Sequence, residues 1–362
     1  MTGGRLNEEF YVKNRDTASI SVSSRGNLRA IQEARAQRLA YMPTVVANEN
    51  AMIRTETLQS VLGEEATVVT AALESTDDII EAAGDAVGLV VDVNTPVPTE
   101  VFEGCPDLQI VARAGVGVDQ IDFEAAVEHD VTVVNVPDYC TEEVSTHAVS
   151  LLLAGVRRLT EYNGAIEDGS WNWTDGQPIH RLNTQTIGFL SFGGLAKRTA
   201  EKLSGLDCRM VAADPYVEAE DMEPYGVEKV AFDELFEEAD HISIHAPLTD
   251  ETHHLFDKEA FKRMSETSVL VNVGRGPIVK EDDLAWALEN NEIAAAGLDV
   301  LEEEPPKDSP LTDRDDVILT PHAAFYSEES LTELNEHVAN DILAVLAGEK
   351  PKGYVDPESD WL

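Results

Sequence analysis

Arg275 in NVGRGP, Glu304 in DVLEEEP and His322 in TPHAAF each follow a short apolar run, with 29 and then 18 residues separating them. If those runs are parallel strands, all three side chains sit at strand C-termini, where open α/β sheets collect their ligands. An arginine fork binds a planar carboxylate through two parallel, charge-assisted hydrogen bonds. A histidine exchanges protons near neutrality, and a carboxylate beside it orients the ring. Each residue alone is more often structural: a capping arginine, a surface glutamate, a packed histidine. Their shared placement favours proton transfer at a carboxylate-bearing substrate.

A second candidate is the stretch TIGFLSFGGLAKRTAEKL, residues 186–203. A strand runs into a glycine turn and then into a helix, which aims backbone N–H groups and a positive dipole end at an anion such as a pyrophosphate. Gly193 stands where the backbone must approach phosphate without a Cβ, and Ala196 where a small residue lets the helix pack closely. Ser191 departs from the pattern, because the first position favours glycine; if it needs a positive φ, serine costs about 1 kcal/mol or more. Asp214 closes the next strand, 21 residues after Gly193. An acid there can accept both ribose hydroxyls and repel a 2′-phosphate, which favours NAD over NADP.

These residues need a frame to hold them. MPTVVAN, VGLVVDVN, LQIVARAG and VTVVNVP read as four strands with acidic helical segments between them, and TIGFLSF, CRMVAAD, HISIHAP, SVLVNVG, AAAGLDV and VILTPHA as a second series. Alternating strand and helix argues for parallel sheets covered on both faces, so the expected fold class is α/β with two doubly wound lobes and a cleft between them. Thr141 is expected to cap a bridging helix bearing Val144, Ala148, Leu151, Leu152 and Val156 on one face. Residues 327–347 read as an acidic amphipathic helix that returns the chain to the first lobe.

Composition excludes several roles. The 362 residues are 43% hydrophobic, enough for a large core, yet carry 69 acidic against 26 basic side chains, a net charge of −43. Such a surface is repelled by nucleic acid and by anionic lipid, so neither is an expected partner. An acidic surface over an ordinary core suits a salt-rich cytoplasm, and the chain reads as a halophile's protein with a cytoplasmic location. No apolar run approaches the ~20 residues needed to span a bilayer, and no secretory h-region is evident. Cys105, Cys140 and Cys208 have no C-x-x-C spacing, and the His241/His245 and His253/His254 pairs lack further ligands, so no disulfide or metal is expected. Residues 1–41 are net positive, +3 against −46 for the remainder. That switch of sign marks a tail outside the folded unit, or upstream sequence read from an early start with Met42 as the true beginning.

Taken together, ARAGVGVDQID (112–122), VPDYCTEEVSTHAVSLLLA (136–154), HAPLTDETHHLF (245–256), LVNVGRGPIV (270–279), GLDVLEEEPP (297–306) and TPHAAFYSEES (320–330) resemble the D-isomer-specific 2-hydroxyacid dehydrogenase family. The likeness runs from about Met42 to Asp356. GSWNW, PIHRL and HAAFYSEES are similar to the branch containing the C-terminal binding proteins, although Phe325 replaces its usual tryptophan. The resemblance implies a flavodoxin-like substrate lobe (42–142 plus 326–362), an NAD-binding Rossmann lobe (143–325) and a homodimer. It implies that Arg275 holds the substrate carboxylate and keto oxygen, aided by the N–H groups of Val116 and Gly117, and that His322 is the acid/base supported by Glu304. Arg113 and Phe325 would be further substrate contacts. Cofactor contacts would come from Leu190, Ser191, Phe192, Gly193, Gly194, Leu195, Asp214, His245, Ala246, Pro247, Val273, Gly274, Arg275, Asp299 and His322; Val273 replaces a usual threonine. The implied activity is NAD-dependent interconversion of a small-molecule D-2-hydroxy acid and its 2-keto acid. The alternative is an NAD(H)-responsive regulator with little turnover, against which the intact Arg275, Glu304 and His322 set argues.

Overall fold

The structure is a computed structural model that describes residues 42–359, so the expectation about residues 1–41 lies outside the described residues. The first lobe is a five-stranded parallel sheet of β1 (Thr44–Asn48), β2 (Thr67–Ala71), β3 (Gly88–Val91), β4 (Ile110–Arg113) and β5 (Thr132–Val134), in the order β2-β1-β3-β4-β5. Helices α1 (Thr55–Leu62), α2 (Thr76–Ala83), α3 (Thr99–Gly104) and α4 (Phe123–Glu128) are its crossovers. GLVV of β3 and IVAR of β4 are buried at every position, as central strands covered on both faces must be.

Two helices, α5 (Thr141–Val156) and α6 (Leu159–Glu167), lead to the second sheet. It comprises β6 (Thr186–Leu190), β7 (Arg209–Ala213), β8 (Val227–Lys229), β9 (His241–Ile244), β10 (Val269–Asn272), β11 (Ala295–Leu298) and β12 (Val317–Leu319), ordered β12-β11-β10-β9-β6-β7-β8 and parallel throughout. Its crossovers include α7 (Gly194–Leu203), α8 (Ala219–Met222), α9 (Phe232–Glu238), α10 (Lys258–Phe261) and α11 (Glu281–Glu289). The order reverses between β6 and β9, and that switch point lies at the glycine turn. Both lobes are therefore doubly wound α/β, as the alternation of the sequence predicts.

Two expectations need correcting. Thr141 does not cap α5: the N-cap position is Cys140, which makes no side-chain cap bond, while Thr141 Oγ1 donates to Asp138 O at 3.2 Å. The sheets also contain two strands beyond those expected, β2 and β8, both at sheet edges.

The C-terminal helix α12 (Glu328–Leu346) is capped by Ser327, whose Oγ accepts from Ser330 N at 2.8 Å. Its Leu334, Val338 and Ile342 join one buried cluster with Leu58 and Leu62 of α1 and with Val45, Val90 and Ile110 of the first sheet. Buried Asn335 ties the two ends together, accepting from Arg54 N at 2.7 Å and donating to Met52 O at 2.9 Å. Beyond the helix, Asp341 accepts from Lys352 N and Gly353 N, and Tyr354 pairs antiparallel with Val134. Among the described residues no helix is long and apolar enough to cross a membrane.

Candidate active-site cleft

The strand ends of both sheets face a single cleft of about 1260 Å³. Of the residues singled out from the sequence, Arg113, Val116, Gly117, Ser191, Gly193, Leu195, His245, Ala246, Pro247, Val273, Gly274, Arg275, Asp299, His322 and Phe325 line it. Leu190, Phe192, Gly194, Asp214 and Glu304 do not; they stand behind or beside the lining.

His322 occupies a left-handed backbone position, φ +52, in the loop after β12. Asp299, at the end of β11, builds that loop: its carboxylate accepts from Thr320 Oγ1 at 2.6 Å, Ala323 N at 2.9 Å and Ala324 N at 2.9 Å, and its carbonyl accepts from His322 N at 2.8 Å. Held in this way, His322 Nδ1 lies 2.7 Å from Glu304 Oε2, while Glu304 Oε1 accepts from Leu301 N at 2.9 Å. Burial works to raise the Glu304 carboxyl, but the hydrogen bond and charge of His322, with Leu301 N–H and the Arg275 charge, hold it below the usual carboxylate range.

Arg275 follows β10. Asn272 clamps its turn by donating to Arg275 O and accepting from Gly274 N. The guanidinium crosses the cleft, with Nε 3.1 Å from Asp119 Oδ2. A Cβ on Gly117 would lie 1.6 Å from Arg275 Nη2, so only glycine permits this approach. Neither Val116 N–H nor Gly117 N–H has an acceptor among the described residues. Asn135 Nδ2 braces their loop through Val116 O at 2.6 Å.

Arg113 is 3% exposed, its Nε donating to Gly117 O at 2.7 Å and its buried Nη1 lacking any partner. Burial lowers its pKa to about 10, and Arg275 pushes the same way against Asp92 and Asp119. The neighbouring wall contains Met52, Tyr139, Cys140 and Phe325, with the Tyr139 and Phe325 rings 6.4 Å apart. Burial raises the Tyr139 hydroxyl, and it pushes the Cys140 thiol to about 12, so the wall is uncharged at neutral pH.

At the other end of the cleft, Gly193 caps α7 without a side-chain acceptor, and a Cβ at Gly193 or Gly194 would meet nothing within 4 Å. The first N–H groups of α7 lack intrahelical partners and face open space. His245 offers a buried, unpartnered Nδ1 beside this turn; its Nε2 pairs with Ser243 Oγ at 2.9 Å, and burial pushes its pKa down to about 4. Ser191 has φ +67, the left-handed geometry the first position requires. Asp214 is 7% exposed and accepts four hydrogen bonds, from Ser191 Oγ, Phe192 N, Tyr216 N and Val217 N.

Sequence reasoning did not pick out Asp119, Asn135 or Tyr139. Asp119 lies within the quoted ARAGVGVDQID, but nothing local marks it as the partner of an arginine 156 residues away. Among the described residues no group of three or more His, Cys, Asp or Glu side chains could hold a metal ion.

Residues 149–324 match the family model described as D-isomer specific 2-hydroxyacid dehydrogenase, NAD binding domain. Over 285 residues the chain is 38% identical to a glyoxylate reductase of Korarchaeum cryptofilum, an alignment covering 77% of this chain and 86% of the reductase. It is 36% identical over 281 residues to a D-3-phosphoglycerate dehydrogenase of Methanocaldococcus jannaschii, covering 77% of this chain but only 53% of that protein, so it spans about half of the longer relative. The crystal structure of a D-lactate dehydrogenase from Aquifex aeolicus, complexed with NAD and lactic acid, superposes with a TM-score of 0.77 at 25% identity, covering 84% of this chain and 96% of the other.

Proposed function

From the premise that the chain belongs to the D-isomer-specific 2-hydroxyacid dehydrogenase family, whose members use NAD, we propose that it interconverts a D-2-hydroxy acid and its 2-keto acid, with His322 as the acid/base. The observation that carries this reading is the 2.7 Å His322–Glu304 pair, which shares one cleft with Arg275 and the glycine turn. A regulator without turnover has no need of that pair.

The residues present fit the cofactor: the uncapped start of α7, the space at Gly193 and Gly194 and the orphaned His245 Nδ1 offer donors and room for a dinucleotide. Bound NADH supplies the hydride. Leu190 and Phe192 shape the turn from behind, while Ala246, Pro247, Val273 and Gly274 form the opposite wall. Asp299 contributes chiefly by holding the His322 loop.

Arg275 binds the substrate carboxylate, exchanging its contact with Asp119 for a stronger bidentate one. The free N–H groups of Val116 and Gly117 accept the same end of the substrate. Glu304 takes the Nδ1 proton of His322, which directs Nε2 to the reacting carbon. In reduction His322 Nε2 delivers a proton to the carbonyl oxygen; in oxidation it removes the hydroxyl proton. The substrate's remaining group meets the wall of Met52, Tyr139, Cys140 and Phe325, and Arg113 Nη1 offers it one unspent donor.

Self-association as a homodimer is part of this proposal. Helix α6 buries none of its own residues, and Trp171 and Trp173 beside it are 89% and 73% exposed, yet Tyr162 Oη pins the segment through Trp173 O at 2.7 Å. Ordered, exposed aromatics suit a protein surface. Light scattering of the purified chain tests the dimer.

The function is tested by assaying the full chain for NADH consumption with glyoxylate, hydroxypyruvate, pyruvate and bulkier keto acids. Turnover of at least one supports the reading. Absence of turnover with NADH still bound would favour a regulatory role, and undiminished activity in His322→Ala would remove the assigned acid/base.

A further inference from the structure

Asp214 stands where the dehydrogenase reading would have the adenosine ribose hydrogen-bonded, yet its carboxylate has no acceptor position to spare. A carboxylate offers about four lone-pair sites. Here Oδ1 accepts from Tyr216 N at 2.8 Å and Val217 N at 3.2 Å, and Oδ2 accepts from Phe192 N at 2.8 Å and Ser191 Oγ at 3.0 Å. Three of these donors are backbone N–H groups fixed by the turn. The fourth moves by rotation about a single side-chain bond.

Ser191 is also the donor on the ligand side, because it lines the cleft and Asp214 does not. The turn does not require its hydroxyl: Ser191 N already bonds Ala213 O at 2.9 Å, and Phe192 N already anchors Oδ2. Its backbone stands at φ +67, a region that side chains other than glycine rarely adopt. The serine is thus held in an unfavourable conformation while occupying the one acceptor position that could be released.

We propose that Ser191 is a specificity-determining residue that competes with the cofactor ribose for Asp214. A ribose hydroxyl donates to Oδ2 only after the Ser191 hydroxyl has turned away, so NADH binding breaks a hydrogen bond to a charged acceptor and is weakened about tenfold. The 2′-phosphate of NADPH carries acceptors only and cannot take over that lone pair. Ser191 therefore weakens NADH binding selectively and narrows the gap between the two cofactors.

The inference rests on the dehydrogenase reading and is tested by fluorescence titration of NADH and NADPH into the wild type, Ser191→Gly and Ser191→Ala, with circular dichroism to verify folding. The expected result is an NADH dissociation constant about tenfold lower in both variants, with NADPH changed by less than about twofold. Alanine keeps a side chain in the left-handed region, so a gain shared by both variants comes from the freed lone pair and not from backbone relief. Should the alanine variant fail to fold, the ratio of NADH to NADPH affinity in Ser191→Gly still decides. Equal tightening of both nucleotides, or NADH binding that is unchanged or weaker, would overturn the role of Ser191. A wild type that binds neither nucleotide would overturn the dehydrogenase reading instead.

Discussion

Arg275 Nε lies 3.1 Å from Asp119 Oδ2, so the guanidinium best placed to receive a substrate carboxylate already holds one belonging to the protein. The Asp119 side chain is 40% exposed, which makes the pair weak and exchangeable. Asp119→Asn is expected to lower the KM for keto acid by about two- to fivefold, with kcat little changed, because substrate no longer displaces an anion. Steady-state kinetics decide; a raised KM would show that Asp119 positions Arg275 rather than competing for it.

His322→Ala should reduce kcat by about 10²–10⁴-fold with NADH affinity retained, the range expected on losing a general acid. Arg275→Lys should chiefly raise KM, roughly ten- to a hundredfold, because an ammonium cannot reproduce the two-pronged contact. A kcat defect in His322→Ala accompanied by loss of NADH binding would indicate a collapsed loop, not a missing proton donor.

Acid should uncouple Glu304 from His322. The folded-state pKa of Glu304 is depressed, so its stabilising contribution is complete above the unfolded carboxylate value of about 4.3 and is lost as pH falls through the lower folded value. Glu304→Gln should lower Tm at neutral pH yet lose less than the wild type between pH 7 and about pH 4. Calorimetry at the two pH values measures the difference, and parallel losses in both proteins would remove Glu304 from the acid response.

Asp214→Ala leaves three buried backbone N–H groups and the Ser191 hydroxyl without their acceptor. The expected cost is about 1–3 kcal/mol of stability per group left unsatisfied, reduced where water enters, together with a smaller preference for NADH over NADPH. Denaturant unfolding and nucleotide titration test the two parts separately. A wild type that prefers NADPH would refute the discriminating role of this acid.

At −43, the chain repels itself, and screening should relieve that repulsion. Tm is expected to rise steadily from dilute buffer to molar KCl. A flat response would mean that the acidic surface is already balanced by its pairs, such as Arg209 with Glu228 and Glu238.

Fold class and the Arg275, Glu304 and His322 set were legible because each rests on a local signal: an apolar run and the residue that ends it. Edge strands gave no such signal. TVVTA of β2 has no fully buried position, and β8 is only VEK, so their strand state comes from pairing with neighbours. Asp119 and Asn335 act across 156 and 281 residues, distances over which spacing carries no information. Asp214 was legible as an acid at a strand end, but its saturation by four donors follows from the geometry of the turn and from the serine in it.

The seating of α12 on α1 imposes an order on how the molecule is made. A ribosome delivers β1 to β5 first, but the face that Leu334, Val338 and Ile342 cover stays bare until the last stretch of chain emerges. The second sheet, whose strands are contiguous from Thr186 to Leu319, can close before the first one does. The lobe synthesised first is thus the lobe completed last, and during translation its apolar face is the surface a chaperone has to shield.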